Sequence, residues 1–592
     1  FLRKVEHRLQ MVDDQQTHTL PHSEEGMARI AGFMGYAGAA PFVADLRATL
    51  TRVQDLFAGL FARSPSLSGP GSLVFTGTED DPETITTLTG LGFANARGVA
   101  AAIRGWHHGH YRATRSERAR EILTALTPDI LAALGATAEP DAAFARFDQF
   151  LAALPAGVML LSLFAENRHL LSLVGRIMGM APVLAQQLAQ TPALFDELLA
   201  PDFFAPLPEA PIFKDELDSA LAMAQGYEDA LSRLRRWAAG RKFRAGVHIL
   251  EGLSDGIRAG RFLAGVAETA IAHVLPLVVD EFARTHGAPP GGGLAVLALG
   301  RLGGRLMSFS SDLDLVAVYD APAGAASAGQ RPLDAPVYYA RLTQRLITAI
   351  TAPMQDGRLY EVDLRLRPSG EAGPVAASVE SFARYHAESA WTWEHMALTR
   401  ARIIAGPPAL AARIGDIVRA TLTRPRGPAL LADVARMRRR IAHEHAPRNR
   451  WDFKYVAGGI IDVEFAVQYL LLAHAHAAPG LLTTETAPAI ERLAAAGFLD
   501  EAAGRDLARA LALSWRVQGL IRLTAPDLLE PDSAPRAIKA RLALEVARAA
   551  DHPAPGSVDF AEAESILDAI LAASRGRYAE IVESGAPADP AT

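Results

Sequence analysis

The sequence predicts an α+β chain that is mostly α-helical, with one small mixed sheet set between two helical-bundle regions. Three observations predict it. Apolar residues recur at helical spacing over most of the 592 residues. After His286 that pattern breaks into short apolar or alternating runs suited to strands. Helical spacing then resumes from about residue 377 to the end.

Residues 1–63 read as amphipathic helices, with Leu2, Val5, Leu9 and Val12 on one face. Ser64-Pro65-Ser66-Leu67-Ser68-Gly69-Pro70-Gly71-Ser72, followed by Glu79-Asp80-Asp81-Pro82, is dense in turn formers and reads as a linker. From 83 to 285 Ala, Leu and Arg dominate. Prolines punctuate, and starts such as Ser116-Glu117 look like helix caps. Pro289-Pro290-Gly291-Gly292-Gly293 then ends the helix, and Leu294 to Leu299 is an apolar run suited to a buried strand. Gly300-Arg301-Leu302-Gly303-Gly304 reads as a turn, Leu313 to Tyr319 as a second strand, and Ala321 to Pro336 as a loop. Val337 to Ile350 is an amphipathic helix, and Leu359 to Arg367 alternates cleanly as a third strand. The turn Ala457-Gly458-Gly459 opens a helix over Ile461 to Leu472.

Composition bounds the chemistry. Cysteine is absent, which excludes disulfides, thiolate metal sites and a cysteine nucleophile and fits a reducing, cytoplasmic setting. A net charge of -7 and a pI near 6.2 argue against wrapping nucleic acid, and no nucleic-acid partner is expected. No uninterrupted apolar run of about 18 residues appears, so no membrane span is expected either. Phe1-Leu2-Arg3-Lys4-Val5-Glu6 is charged and amphipathic, unlike a signal peptide, and falls inside a predicted helix. The chain therefore reads as a piece that starts mid-domain.

The chemistry concentrates in Ser310-Ser311-Asp312-Leu313-Asp314-Leu315. Side chains two apart on a strand share a face, so Asp312 and Asp314 project together. Their mutual repulsion is offset directly by a divalent cation. Oxygen-only ligands suit Mg²⁺, which takes one or two carboxylates plus substrate phosphates. On the third predicted strand Glu361, Asp363, Arg365 and Arg367 share a face. Asp363 completes a candidate set of three carboxylates for two ions, fit for in-line displacement at phosphorus. It could also take the proton of the attacking hydroxyl. Gly303 and Gly304 let backbone N–H groups approach phosphate, and Ser311 adds a hydroxyl donor. Arg365 and Arg367 suit a polyphosphate such as that of ATP.

Leu299 to Arg305 with Ser310 to Leu315 resembles the active-site motif of the DNA polymerase beta-like nucleotidyltransferases. Three further stretches are similar to segments of the glutamine synthetase adenylyltransferases. They are Tyr360 to Gly370, Ala390 to His395 with Arg400 to Arg402, and Gly458 to Phe465. Val5 to Gln10 with Gln16 to Pro21 looks like the end of that family's N-terminal half. The resemblance implies transfer of AMP from ATP to a tyrosine of glutamine synthetase, with Mg²⁺ on Asp312, Asp314 and Asp363. It implies nucleotide contacts at Gly303, Gly304 and Ser311, and a PII-type signal protein as regulatory partner. Family members carry a second, adenylyl-removing core, whereas this chain holds one Gly-Gly/Asp-x-Asp set, which by order matches the adenylylating half. The expected domains are a helical tail over 1–65, a linker over 66–82 and a helical domain over 83–285. A nucleotidyltransferase core over 286–425 and a C-terminal helical domain over 426–592 follow. Transfer to RNA or a small molecule, or a non-catalytic nucleotide-sensing scaffold, are the alternatives.

Other signals are read as structural. His107, His108 and His110 lack the four-residue spacing of a zinc helix, as do His443/His445 and His474/His476. Asp462 and Glu464 are expected to cap a helix start. Trp391 and Trp393 are expected to pack in a core, with adenine stacking as the alternative. Phe1 to Gln10 also weakly echoes Ser514 to Arg522 in spacing.

Overall fold

A computed structural model describes residues 1–13, 20–21, 23–61, 73–75, 80–208, 211–354, 356–525 and 529–584. The predicted linker at 66–82 and the Gln16 to Pro21 motif fall largely outside these residues. The chain divides into two compact units, Phe1–Leu73 and Val74–Thr592.

The first unit holds three helices, α1 (Leu2–Asp13), α2 (Glu24–Phe33) and α3 (Ala39–Phe61). The face foreseen from helical spacing is the one that packs. Val5 and Leu9 are buried with Ile30, Ala31, Phe42 and Leu46. Ser23 caps α2 by accepting the Gly26 N–H at 3.1 Å.

In the second unit a run of helices fills 82–222 and leads to α4 (Tyr227–Glu251) and α5 (Gly256–His286). Asp255 starts α5 by capping the Arg258 N–H, and Gly287 at φ 84 ends it. Helix α5 is long and apolar enough to cross a membrane. However, 61 % of its most apolar window is buried inside the fold, as expected of a core helix.

Five strands form the sheet: β1 (Gly293–Ala298), β2 (Leu313–Asp320), β3 (Val362–Asp363), β4 (Ala376–Ser378) and β5 (Arg402–Ala405). It is mixed. β1 lies antiparallel between β2 and β5. On its other side β2 pairs in parallel first with β3 and then with β4. Both middle strands are buried almost throughout, which explains their continuous apolar runs. Between β1 and β2 the Gly300–Gly303 segment is a single helical turn, α6. Helix α7 (Ala335–Thr351) packs on α5 and under the sheet. It buries Tyr338, Tyr339, Leu342 and Leu346, and Tyr339 stacks on Tyr319 of β2 at 4.4 Å. Helices α8 (Thr392–Leu398), α9 (Ile460–His474) and α10 (Glu501–Thr524) belong to the helical part that follows.

Two sequence expectations need correction. The nine-residue strand expected over Leu359 to Arg367 is only the two residues of β3. Alternation continues beyond it, but from Ala317 onward the available edge of β2 is occupied by β4. Strands β4 and β5 were also missed, because runs of three and four residues carry no readable period.

Candidate active site

The parallel pairing of β2 with β3 is what assembles the carboxylates. Leu313 stands opposite Val362, and Asp314 opposite Asp363. The Leu313 N–H donates to the Glu361 carbonyl at 3.0 Å, fixing that register. Neighbouring strands lie about 4.8 Å apart, so paired residues share a face of the sheet. Asp314 is half-buried. Burial first, then the charges of Asp363 and Asp312, push its carboxyl up to about 6. Asp312 is exposed at the strand's start. Together with Glu361, Asp363, Arg365, Arg367 and Glu371 it lines an open bowl of about 740 Å³.

The two arginines expected to hold polyphosphate are engaged within the protein. Arg365 grips the Asp363 carboxylate through its backbone N–H at 2.8 Å, Nε at 2.8 Å and Nη2 at 2.5 Å. That side-chain hydrogen bond holds Asp363 below the usual carboxylate range. Arg367 donates to the Leu364 and Gly373 carbonyls and so braces the turn after β3. Among the described residues, no three His, Asp or Glu side chains converge on one point as the structure stands. The donor chemistry nevertheless fits a divalent cation. Asp312 and Asp314 are oxygen donors two residues apart, and the Asp314 carboxyl is raised first by burial and then by the charges of Asp363 and Asp312, the part a cation would relieve.

The glycines divide differently from expectation. The Gly303 and Gly304 N–H groups donate to the Leu299 and Gly300 carbonyls, closing α6 rather than facing an anion. A methyl at Gly303 would overlap the Arg400 carbonyl, so this glycine serves close packing. The glycine that faces the carboxylates is Gly300. Its φ is +51, and a methyl there would overlap Asp314 Oδ2. Sequence reasoning passed over it for the more conspicuous Gly-Gly pair. Its position directly after an apolar strand was the available signal. Ser311 accepts the Ser308 N–H at 2.9 Å and lies 3.0 Å from the Ser308 hydroxyl, so it shapes the turn entering β2.

Arginines missed in the sequence hold α6 in place. Arg402 donates Nε to the Gly303 carbonyl at 2.9 Å and Nη2 to the Leu302 carbonyl at 3.0 Å, and it pairs with Glu268 at 2.8 Å. Arg301 lies over the Trp515 ring at 4.8 Å and pairs with Glu464 at 3.3 Å, and Arg400 reaches the same carboxylate at 2.8 Å. Burial alone would raise the Glu464 carboxyl, but Arg400 and Arg301 hold it below its ordinary value. Asp462 is fully buried, accepting Arg438 Nε at 2.5 Å and the Gly458 N–H at 2.6 Å. Both acids therefore tie helix α9 into the fold. Trp393 is half-buried, whereas Trp391 is 71 % exposed, against the expected core role.

Comparison with known proteins follows the same outline. A model of the glutamate-ammonia ligase adenylyltransferase family matches residues 171–416, which include every carboxylate of the site. A model of the GlnD PII-uridylyltransferase family matches 1–61 and 433–527, the regions holding the two echoing segments. The chain is 45 % identical over 538 residues to the bifunctional glutamine synthetase adenylyltransferase/adenylyl-removing enzyme of Mesorhizobium japonicum, covering 90 % of this chain and 54 % of that protein. It is 41 % identical over 594 residues to the enzyme of the same name from Agrobacterium fabrum, covering 99 % and 59 %. The chain thus spans a little over half the length of these relatives. On the match around its carboxylates and on these identities, residues 171–416 are assigned to the glutamate-ammonia ligase adenylyltransferase family.

Proposed function

We propose that this chain transfers AMP from ATP to a tyrosine hydroxyl of glutamine synthetase, releases pyrophosphate, and so down-regulates nitrogen assimilation. The observation that carries the reading is the register that sets Asp314 beside Asp363, with Asp312 just before the start of β2. Support for the acceptor comes from the relatives, whose names join glutamine synthetase adenylylation to adenylyl removal. By its order in the chain, after a segment like the end of the family's N-terminal half, the carboxylate set is read as the transferring one.

Asp312 and Asp314 would hold Mg²⁺, joined by Asp363. Bound there, the metal would supply charge neutralisation for displacement at the α-phosphorus. The chain's own residues do the rest. Gly300 keeps the backbone clear of Asp314. Arg402 and Arg301 keep α6 from moving away. Asp363, released by Arg365, accepts the proton of the attacking hydroxyl as the new O–P bond forms and pyrophosphate departs. Nucleotide contacts at Gly303, Gly304, Ser311, Arg365 and Arg367 remain part of the proposal. They require the internal hydrogen bonds of these residues to exchange for substrate.

A PII-type signal protein is the proposed regulatory partner and the cytoplasm the proposed location. The proposed division runs from a helical tail (1–65) and linker (66–82) through a helical domain (83–285). The nucleotidyltransferase core (286–425) and a C-terminal helical domain (426–592) complete it. Incubating the chain with α-labelled ATP, Mg²⁺ and glutamine synthetase tests the reading. Label on the synthetase, lost in Asp312→Asn without loss of folding, is the expected result. Full transfer by that variant would overturn the site.

A further inference from the structure

Helix α4 carries a lysine that the fold accommodates at a cost. Lys242 keeps some exposure along its stem, but its ammonium is turned inward. It donates to the Leu359 carbonyl at 2.6 Å and lies 3.4 Å from the centre of the Tyr360 ring. Leu359 and Tyr360 are both buried. Burial pulls the ammonium down to about 7, and no acid among the described residues pairs with it. A buried cation without an acid is disfavoured against an apolar side chain of similar volume. Stability therefore gives no reason for a lysine here.

Its contacts fall on the connection that delivers β3. The Leu359 and Tyr360 N–H groups donate to the Ile350 carbonyl of α7, at 3.2 and 3.3 Å. Arg235, seven residues before Lys242 and so on the same face of α4, donates Nη2 to the Ala349 carbonyl at 2.6 Å. Helix α4 thus holds the connection at both ends. Two residues past Leu359, the Glu361 carbonyl accepts the Leu313 N–H and the pairing with β2 begins. That pairing is only two residues long, and β4 takes the edge of β2 from Ala317. So short a ladder does little by itself to fix its register, and a slip of one residue would turn Asp363 to the opposite face. The hold that fixes it lies outside the sheet.

We propose that Lys242 is a positioning residue for Asp363. By fixing the Leu359 carbonyl and the Tyr360 ring, it sets the register in which β3 meets β2 and so keeps the third carboxylate beside Asp314. The proposal rests on the reading of Asp363 as a carboxylate of the transfer site.

The test compares the full chain with Lys242→Met, which keeps the length and loses the donor, and with Lys242→Arg, which keeps a cation and N–H donors. Amide hydrogen exchange in Lys242→Met is expected to quicken at Leu313 and over Leu359 to Arg365, while β1 and its pairing with β2 exchange as in the parent. Binding of Mn²⁺ without nucleotide, read by electron paramagnetic resonance, should weaken several-fold. The kcat for AMP transfer should fall about tenfold, part of the roughly 100-fold that a full 1 Å displacement costs, with the KM for glutamine synthetase within about twofold. Lys242→Arg should keep most of the rate. Added to Asp363→Asn, Lys242→Met should lower the rate by less than a further twofold, since both act through one carboxylate. The melting temperature of Lys242→Met should equal the parent's or exceed it. Unchanged exchange at Leu313 and Leu359 to Arg365 overturns the proposal. So does a full further loss in the double variant. A melting temperature lowered by many degrees also overturns it, because Lys242 would then serve stability. A parent chain that transfers no AMP sinks the proposed function instead, and exchange and Mn²⁺ binding still decide the positioning role.

Discussion

Replacing Gly300 by alanine strikes the closest approach between backbone and carboxylate. The residue sits at φ +51, where a side chain costs about 1–2 kcal/mol. The added methyl would overlap Asp314 Oδ2 and press on Asp314 Cβ, 3.2 Å away. A carboxylate end can rotate more cheaply than a strand can shift, so the relief comes from turning Asp314 away. Displacing a reacting group by about 1 Å costs about 100-fold in rate. Gly300→Ala is therefore expected to lose about two orders of magnitude in kcat for AMP transfer while melting only a few degrees lower. Gly415→Ala is the control. Its methyl would meet nothing within 4 Å, and its rate should stay within about twofold. Initial rates at saturating ATP and a thermal melt of each variant decide it. A fully active Gly300→Ala, or a Gly415→Ala equally damaged, would refute the reasoning.

Three further outcomes are expected. Arg365→Ala frees the Asp363 carboxylate, so half-maximal transfer should need several-fold less Mg²⁺, while the KM for ATP rises as the proposed nucleotide contact is lost; an unchanged Mg²⁺ requirement would count against the restraint. Asp462→Ala leaves Arg438 charged and buried without its partner, costing about 3–5 kcal/mol in urea unfolding; unchanged stability would contradict the structural role. His386 is held neutral by burial and then by His395, and His395 by burial and then by Arg426, each pulled down to about 4. Below pH 6.5 the unfolded chain takes up protons that the folded chain refuses, so stability falls as pH drops from about 6.5 to about 4, by up to about 3 kcal/mol for each ring. The double variant His386→Gln/His395→Gln should lose less over that window, and equal slopes would count against it.

The acid pair was legible because a period of two is a local property, and β2 keeps it from Leu313 to Asp320. Strand β1 was legible as an apolar run between glycines. Asp363 was placed on the right face, but its partner was not foreseeable. Whether an arginine two residues on faces solvent, phosphate or that same carboxylate depends on where pairing with β2 stops, and β4 decides that from outside the segment. Trp391 and Trp393 look alike in sequence, two residues apart, yet only the second finds cover. The arginines that hold α6 stand in segments that carry the family resemblance, but their role left no local trace, since the Arg402 hydrogen bonds span about a hundred positions of chain.

That last separation has a consequence in time. Asp312, Asp314 and Asp363 are all polymerised before Arg402, which grips α6 from 99 and 100 residues downstream, and before Glu464, 163 residues beyond Arg301. At about 5–20 residues per second, a nascent chain carries α6 for roughly 8–33 s before its last fastening has been made. During that interval the acids exist on a strand whose neighbouring turn is still loose. Ribosome-bound chains stalled before residue 464 would carry every acid of the site while Arg301 of α6 still lacks its partner Glu464.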